Sequence, residues 1–228
     1  MSSKPIHLLH VFPSFEIGGA QMRFARLVQN HGLRYRHSIV ALDKKAEMSA
    51  RLSGEAQTQL RLLDFDKKRF WANLKRFRKT IIEIDPDVLV TYNWGAIEWA
   101  LANRLSPSRR HVHIEDGFGA EEARRQLRRR VWLRRVILSG KQTTVVLPSR
   151  RLEQIALRMW RLPASRVLYI PNGIDCARFW VDPDSRCRRP PPIIVGTVAT
   201  LRREKNIPRL IEAFCAIAQN FPRDALAL

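Results

Sequence analysis

The sequence has few cysteines, and their spacing excludes two common kinds of small-protein architecture. Three cysteines occur among 228 residues, at Cys176, Cys187 and Cys215, and no two of them form a Cys-x-x-Cys pair. Such a set is suited neither to a disulfide framework nor to a zinc site, and it is typical of a cytosolic protein. We therefore expect a cytoplasmic protein with no metal site.

Long hydrophobic runs are also missing, as is one familiar nucleotide-binding pattern. No apolar run approaches the ~18 residues that a membrane-spanning helix needs. The segment 1–11 has one lysine and a short apolar stretch, which predicts a first strand rather than a signal peptide. The pattern Gly-x-Gly-x-x-Gly does not occur, which argues against an enzyme that binds NAD.

Acidic residues are scarce relative to basic ones. The chain has 41 Lys and Arg against 21 Asp and Glu, a net charge of +20. This excess predicts an anionic partner: a lipid surface, a nucleic acid or a phosphorylated substrate. No nucleic-acid docking motif is recognisable, so we expect two basic helices to dock on an anionic membrane surface and no specific nucleic acid to bind. Their basic residues are Lys67, Lys68, Arg69, Lys75, Arg76, Arg78 and Lys79 in the first, and Arg124, Arg125, Arg128, Arg129, Arg130, Arg134 and Arg135 in the second.

Strand and helix patterns alternate along most of the chain. Apolar residues recur every three or four positions from Phe70 to Ile84, which predicts an amphipathic helix. Short β-branched runs such as 88–92 and 143–147 predict buried strands, and a further helix is expected over 121–138. The alternation predicts an α/β fold with a doubly wound, mostly parallel, Rossmann-like sheet.

Turn and linker chemistry interrupts this alternation late in the chain. A Pro-Asn-Gly turn is followed by a polar, proline-rich stretch, after which the β-α pattern restarts. We expect a first domain over 1–170, a linker over 171–192 and an incomplete second α/β domain over 193–228. One strand and one helix cannot enclose a core by themselves.

Polar residues stand at the end of the predicted strand 111–114. His113 lies near its carboxyl end, and Glu115 and Asp116 follow directly. The carboxyl ends of parallel strands form the binding crevice of a doubly wound sheet, so these side chains are candidates for a site. The alternative is a histidine satisfied within the strand and an aspartate that caps the next turn.

Three separated segments resemble the family 4 retaining glycosyltransferases, which have the two-domain GT-B fold. The segment FPSFEIGGAQ, residues 12–21, is similar to the Gly-Gly loop after that family's first strand. YIPNGID, residues 169–175, resembles the family's interdomain segment. GTVATLRREKN, residues 196–206, resembles its Gly-Arg-Leu-x-x-Glu-Lys-Gly region at the start of the nucleotide-binding domain. The resemblance covers essentially the whole chain.

The resemblance implies roles for particular residues. His113, beside the transferred sugar, and Asp116 are implied as catalytic residues, and Glu115 is implied to face the acceptor. The residues implied to bind the donor are Gly18, Gly19, Asn172, Arg202 and Lys205.

The sequence departs from the family pattern in two places. Thr200 stands where an arginine usually contacts the donor diphosphate, and Arg202 or Arg203 would have to replace it. The family's later glutamate pair, which holds the donor sugar and ribose, would lie beyond Leu228. We therefore expect residues 1–228 alone to be inactive.

The implied function is transfer of a sugar, with retention, from a nucleotide-diphosphate sugar to a hydroxyl of a lipid-linked or polysaccharide acceptor. The nucleotide sugar is a substrate, and the resemblance implies no cofactor and no metal. The resemblance implies that the protein acts at the inner face of the membrane, as a peripheral membrane protein. Two alternatives remain open: a basic nucleic-acid-binding module and a non-catalytic, membrane-associated remnant.

Overall fold

The structure is a computed structural model that describes residues 4–31, 34–52, 58–63, 66, 68–105, 109–122, 125–182, 192–199, 201, 203–222 and 226–227. The chain divides into two compact units, Met1–Gly173 and Ile174–Leu228. The first unit contains the candidate site.

Seven parallel strands form the sheet of the first unit, in the spatial order β3-β2-β1-β4-β5-β6-β7. The strands are β1 (Ile6–Phe12), β2 (Tyr35–Ala41), β3 (Thr58–Leu62), β4 (Val88–Tyr92), β5 (Arg110–Ile114), β6 (Thr143–Leu147) and β7 (Val167–Tyr169). The order reverses between β1 and β4, because β2 lies on one side of β1 and β4 on the other. In a doubly wound sheet, ligands bind outside the carboxyl ends of the strands at such a switch point.

Five α-helices lie among the described residues of the same unit. They are α1 (Gly19–His31), α2 (Phe70–Ile84), α3 (Ile97–Arg104), α4 (Arg128–Leu138) and α5 (Arg150–Arg158). The apolar stripe of α2 is buried from Leu74 to Ile84, whereas Phe70 at its start is exposed. Phe77 stacks on Trp99 of α3 with ring centroids 4.6 Å apart. Ser149 caps α5, since its hydroxyl accepts a hydrogen bond from the Leu152 amide at 3.3 Å. Capping groups of this kind satisfy an amide that has no partner within the helix.

The predicted doubly wound sheet is confirmed, with two local differences. Strand β3 is absent from the sequence prediction, because this edge strand is largely exposed and lacks a strong apolar pattern. The helix expected over 121–138 begins only at Arg128. Before it, a short 3-10 turn at Ala120–Glu122 directs Glu122 into the interior.

The second unit repeats the β-α-β order on a small scale. Strand β8 (Ile193–Ile194) pairs in parallel with β9 (Leu226–Ala227), and α6 (Ile207–Ala218) lies between them in sequence. No residue of α6 that the structure describes is buried, and Ile211 and Ile217 are about half exposed. The domain limits at 170 and 192 stay predictions.

No helix among the described residues combines the length and the apolar character that crossing a bilayer requires.

Candidate functional site

A cleft of about 680 Å³ opens at the carboxyl ends of β1, β4 and β5. The residues that line it come from the loops after these strands and from the region of α4: Pro13, Asn93, Trp94, Gly95, Glu115, Asp116, Gly117, Phe118, Gly119, Glu121, Glu122, Arg130 and Arg134. The cleft therefore lies where the strand order reverses, as the topology predicts for a binding site.

Two close contacts set the shape of the cleft floor. A Cβ atom on Gly95 would lie 2.7 Å from Pro13 side-chain atoms, so the loops after β1 and β4 approach each other as only glycine allows. Asn93 has a left-handed backbone with a φ of 56°, and its side-chain oxygen accepts a hydrogen bond from the Asp116 amide at 2.8 Å. These contacts tie together the three loops that form the floor.

A buried charge cluster forms one wall of the cleft. The Arg134 guanidinium is fully buried and donates to both carboxylate oxygens of Glu122, at 3.1 and 3.0 Å. Its Nε donates to Glu115 Oε2 at 3.3 Å. The same guanidinium lies 4.8–5.2 Å from the ring centroids of Trp94, Phe118 and Trp160. A buried cation needs such partners, because a buried charge left unpaired lowers stability by roughly several kcal/mol.

Glu122 is the carboxylate that compensates most of this charge. It also accepts hydrogen bonds from the Leu127 amide and from Arg130, at 3.2 and 3.3 Å. Burial acts to raise the pKa of Glu122, but the hydrogen bonds and positive charge of Arg134 outweigh that effect and lower the pKa below its ordinary value. Glu122 is therefore held as a carboxylate.

This arrangement corrects the prediction for the second basic helix. Arg134 was expected on a membrane-facing surface, and it is instead fully buried. Arg130 is also mostly enclosed and pairs with Glu121 and Glu122. Both arginines turn inward because buried carboxylates and aromatic rings are available there. The other α4 arginines, Arg128, Arg129 and Arg135, are exposed.

His113 lies beneath Glu115 and has no exposed surface. Its Nε2 is 3.5 Å from Glu115 Oε2, and its Nδ1 is 2.8 Å from Thr91 Oγ1. Since His113 does not line the cleft in this structure, it reaches the cleft only through Glu115. Its predicted position beside the donor sugar stays a prediction.

The same hydrogen-bonded chain continues along one face of the sheet, from β4 through β5 to β6. Thr91 Oγ1 is 2.8 Å from His111 Nε2, and His111 Nδ1 is 3.1 Å from Thr143 Oγ1. Burial, and then the nearby His113, lower the pKa of His111 to about 3. His111 is therefore neutral at physiological pH.

Asp116 and Asn172 are brought together by a residue that the sequence did not indicate. Arg23 of α1 donates one hydrogen bond to each oxygen of the Asp116 carboxylate and another to the Asn172 side-chain oxygen. Gly18 and Gly19 stand at the start of α1 and do not line the cleft. A Cβ atom on Gly19 would meet nothing within 4 Å, so its backbone is openly accessible.

The remaining predicted donor-binding residues belong to the second unit. Lys205 ends the short 3-10 turn Arg203–Lys205, before α6. Arg202 and Thr200 lie outside the described residues. Across the described part of the chain, no group of three or more His, Cys, Asp or Glu side chains is arranged to hold a metal ion. The donor-binding and catalytic roles stay predictions.

Sequence reasoning missed Trp94, Glu122, Arg23 and the inward position of Arg134. A usable signal existed for Trp94, because it follows β4 as Glu115 follows β5, and the carboxyl ends of both strands face the same crevice. No pattern distinguishes Arg23 or Arg134 from neighbouring arginines.

The family model described as Glycosyltransferase Family 4 matches residues 17–178, which is well over half of the chain. The chain belongs to glycosyltransferase family 4. The match includes every residue that lines the cleft except Pro13. No curated protein matches the sequence significantly.

Solved structures share the fold at low sequence identity. A glycosyltransferase from Rickettsia africae aligns with a TM-score of 0.56 and 15% identity, over 79% of this chain and 47% of its own. Anabaena HepE, solved in complex with UDP-glucose, aligns with a TM-score of 0.59 and 14% identity, over 78% and 47%. A putative UDP-N-acetylglucosamine 2-epimerase from Listeria monocytogenes aligns at 0.51 and 14%, over 72% and 44%. The chain thus spans about half the length of these structures, and the Rossmann-like domain of the GT-B fold is confirmed.

Proposed function

We propose that this family 4 chain is the acceptor-side part of a retaining glycosyltransferase that uses a nucleotide-diphosphate sugar. The observation that carries the proposal is the cleft at the strand-order switch, lined by carboxylates and aromatic rings. Such side chains suit a carbohydrate, because carboxylates accept hydrogen bonds from hydroxyls and rings cover apolar faces of the sugar. The family membership supports the reaction class.

The donor is a nucleotide-diphosphate sugar, as the UDP-glucose bound to Anabaena HepE supports. The diphosphate-binding residues that the resemblance implies are Gly18 and Gly19 in the first unit, where free helix amides favour an anion, and Arg202 and Lys205 in the second. These groups stabilise the departing diphosphate electrostatically, without a cofactor or a metal. His113, within β5, and Asp116, in the loop after β5, serve the transfer step.

The acceptor is a hydroxyl of a lipid-linked or polysaccharide molecule, held at the cytoplasmic membrane face. Exposed arginines on α4 support a peripheral attachment, since basic residues near an anionic bilayer contribute about 1 kcal/mol each. Trp132 on the same helix is 61% exposed, and tryptophan suits the membrane interface.

The test compares two proteins with a panel of nucleotide sugars and lipid-linked acceptors. One is the chain of residues 1–228, and the other extends through the region where family 4 carries its later glutamate pair. Only the extended protein is expected to turn over a nucleotide sugar, because the donor ribose and sugar hydroxyls need partners there. Turnover by residues 1–228 alone contradicts the expectation that donor binding requires the later region of the protein. Absence of turnover by the extended protein with every donor contradicts the function.

A further inference from the structure

One carboxylate oxygen in the wall of the cleft has no partner. Glu115 Oε1 is buried and accepts no hydrogen bond from any residue that the structure describes. Leaving such an oxygen unpaired is unfavourable, because the water it loses on burial is not replaced by another hydrogen-bond donor. Glu115 also lines the cleft, so a ligand there is the group available to satisfy this oxygen.

The donors around Glu115 all converge on its other oxygen. Arg134 Nε lies 3.3 Å from Oε2, and His113 Nε2 lies 3.5 Å from the same atom. An ionised carboxylate only accepts hydrogen bonds, so His113 donates from Nε2 and accepts at Nδ1. The two donors therefore hold one edge of the carboxylate and leave Oε1 for another donor.

The direction of hydrogen bonding is then set across the sheet behind Glu115. Since His113 Nδ1 accepts, the Thr91 hydroxyl donates to it and accepts from His111 Nε2. His111 Nδ1 in turn accepts from the Thr143 hydroxyl. This chain fixes the His113 tautomer that donates to Glu115.

The charges in the wall indicate the kind of ligand. Arg130 and Arg134 are paired with Glu121, Glu122 and Glu115. The lining also carries the carboxylate of Asp116. A phosphate placed beside Glu115 would therefore meet a carboxylate whose neighbouring cations are already paired, whereas an uncharged hydroxyl can donate to Oε1.

The loop beside Glu115 has room for a ligand to enter. Gly117 and Gly119 flank Phe118, and a Cβ atom on either would meet nothing within 4 Å. The space beside this loop is open at both glycines, while Phe118 between them packs against Trp160 and Arg134.

We propose that Glu115 Oε1 accepts a hydrogen bond from an uncharged sugar hydroxyl in the cleft, and that Arg134 is the positioning residue that orients Glu115 for it. The proposal rests on the proposed function and names the chemical group that this half of the site recognises. Arg134 orients Glu115 through its planar guanidinium. One N–H group donates to Glu115 and two donate to Glu122, and the Trp94 ring lies against the same guanidinium.

The first experiment measures binding of D-glucose and its four monodeoxy analogues (2-, 3-, 4- and 6-deoxyglucose) by NMR titration. The proteins are wild type, Glu115→Gln and the control Glu83→Gln, which alters an exposed residue of α2. In Glu115→Gln, the amide oxygen is expected to face Arg134 and His113, which turns an NH₂ donor toward the ligand.

For wild type and Glu83→Gln, we expect one deoxy analogue to bind about tenfold more weakly than glucose, the loss of one hydrogen bond to a charged group. Glu115→Gln is expected to bind glucose about tenfold more weakly than wild type does. It is also expected to bind the deoxy analogue that wild type disfavours as well as it binds glucose. Equal binding of all analogues to wild type, no binding of glucose, or the same discrimination in Glu115→Gln overturns the proposal.

The second experiment tests Arg134 against its exposed neighbour Arg135 on the same helix. Lysine cannot reproduce the planar fork of donors, so Arg134→Lys is expected to remove the discrimination among deoxy analogues, whereas Arg135→Lys keeps it. Circular dichroism shows which variants are folded. If Arg134→Lys is not folded, the result for Glu115→Gln decides whether the hydroxyl site exists. Discrimination retained in a folded Arg134→Lys overturns the positioning role.

The two proposals fail in different ways. Loss of glucose discrimination in Glu115→Gln, together with no nucleotide-sugar turnover by the extended protein, contradicts the proposed function and leaves the hydroxyl site intact. Turnover without any effect of Glu115→Gln on discrimination contradicts the hydroxyl site alone.

Discussion

Arg23 and Asp116, 93 residues apart in sequence, form a two-pronged ion pair with N–O distances of 2.8 and 3.0 Å. Both side chains are about four-fifths buried. The pair joins the first helix of the domain to the loop after β5, next to the cleft. Such bidentate, charge-assisted pairs are stronger than single hydrogen bonds and fix orientation as well.

We expect Arg23→Lys to lower the free energy of unfolding by about 1 kcal/mol, because lysine offers no matching fork. Urea unfolding of Arg23→Lys, Asp116→Asn and the double variant measures the coupling between the two side chains. The double variant is expected to be little less stable than either single one. Additive losses would show that the two residues contribute independently.

Lys205 provides a test of donor binding in the extended protein. Lys205→Ala is expected to raise the KM for the nucleotide sugar by roughly tenfold, the effect of losing one charged contact to the diphosphate. Lys141→Ala is the matched control, because Lys141 is exposed on a turn of the first unit. An unchanged KM for Lys205→Ala, with unchanged kcat, means that Lys205 does not contact the donor.

Four of the five buried histidines have a lowered pKa and make stability depend on pH. Burial is the main cause that lowers the pKa of His7, His10 and His37, the last to about 4, and that of His111 to about 3. In the unfolded chain a histidine has a pKa of about 6.5. Below that pH the unfolded state binds more protons than the folded state, so stability falls as pH falls.

We expect the free energy of unfolding to decrease from pH 7.5 to pH 5, by up to about 1.4 kcal/mol per pH unit for each such histidine. Urea unfolding at several pH values measures the slope. His111→Asn is expected to reduce this slope by up to the contribution of one bound proton. His31→Gln, at an exposed position, is expected to leave the slope unchanged. A slope unaffected by His111→Asn contradicts the neutral, buried state of His111.

Membrane attachment is tested with anionic vesicles. Replacing Arg128 and Arg129 by glutamine is expected to weaken binding by about 2 kcal/mol, roughly 30-fold. Replacing Arg151 and Arg158, which are exposed on α5, is the control with the same change in charge. Binding should also fall as salt rises, because exposed charges are screened within about 10 Å at 0.1 M.

Competition with nucleic acid separates this interpretation from its rival. At physiological salt, vesicles are expected to displace both duplex and single-stranded nucleic acid. A preference for one nucleic-acid sequence or structure over vesicles would instead favour the nucleic-acid-binding module. Binding at low salt alone does not discriminate, because any polycation binds nucleic acid there.

Most of the fold was predictable from the sequence, because most of its elements carry a local pattern. The stripe on α2 is buried from Leu74 to Ile84, as its spacing predicts, and the β-branched runs form strands β4 and β6. Strand β3 carries no such pattern, because an edge strand buries little and needs no continuous apolar run.

The site was predictable only in outline. The rule for strand ends correctly indicated Glu115 and Asp116 as cleft residues. Arg134 could not be separated from its neighbours, because its burial depends on Glu115, Glu122 and three rings brought together by distant parts of the chain. In a run of arginines, the sequence alone does not show which one pairs with buried carboxylates.

The contact between Gly95 and Pro13 has a consequence for how this cleft can diversify. The backbone of Gly95 meets the Pro13 side chain there with no space for a methyl group on the glycine, so this contact sets how closely the two loops approach. The side chains that line the opening can be exchanged while that spacing is preserved. Substitutions among these lining side chains are therefore expected to change which ligand fits the cleft while the Gly95–Pro13 contact stays in place.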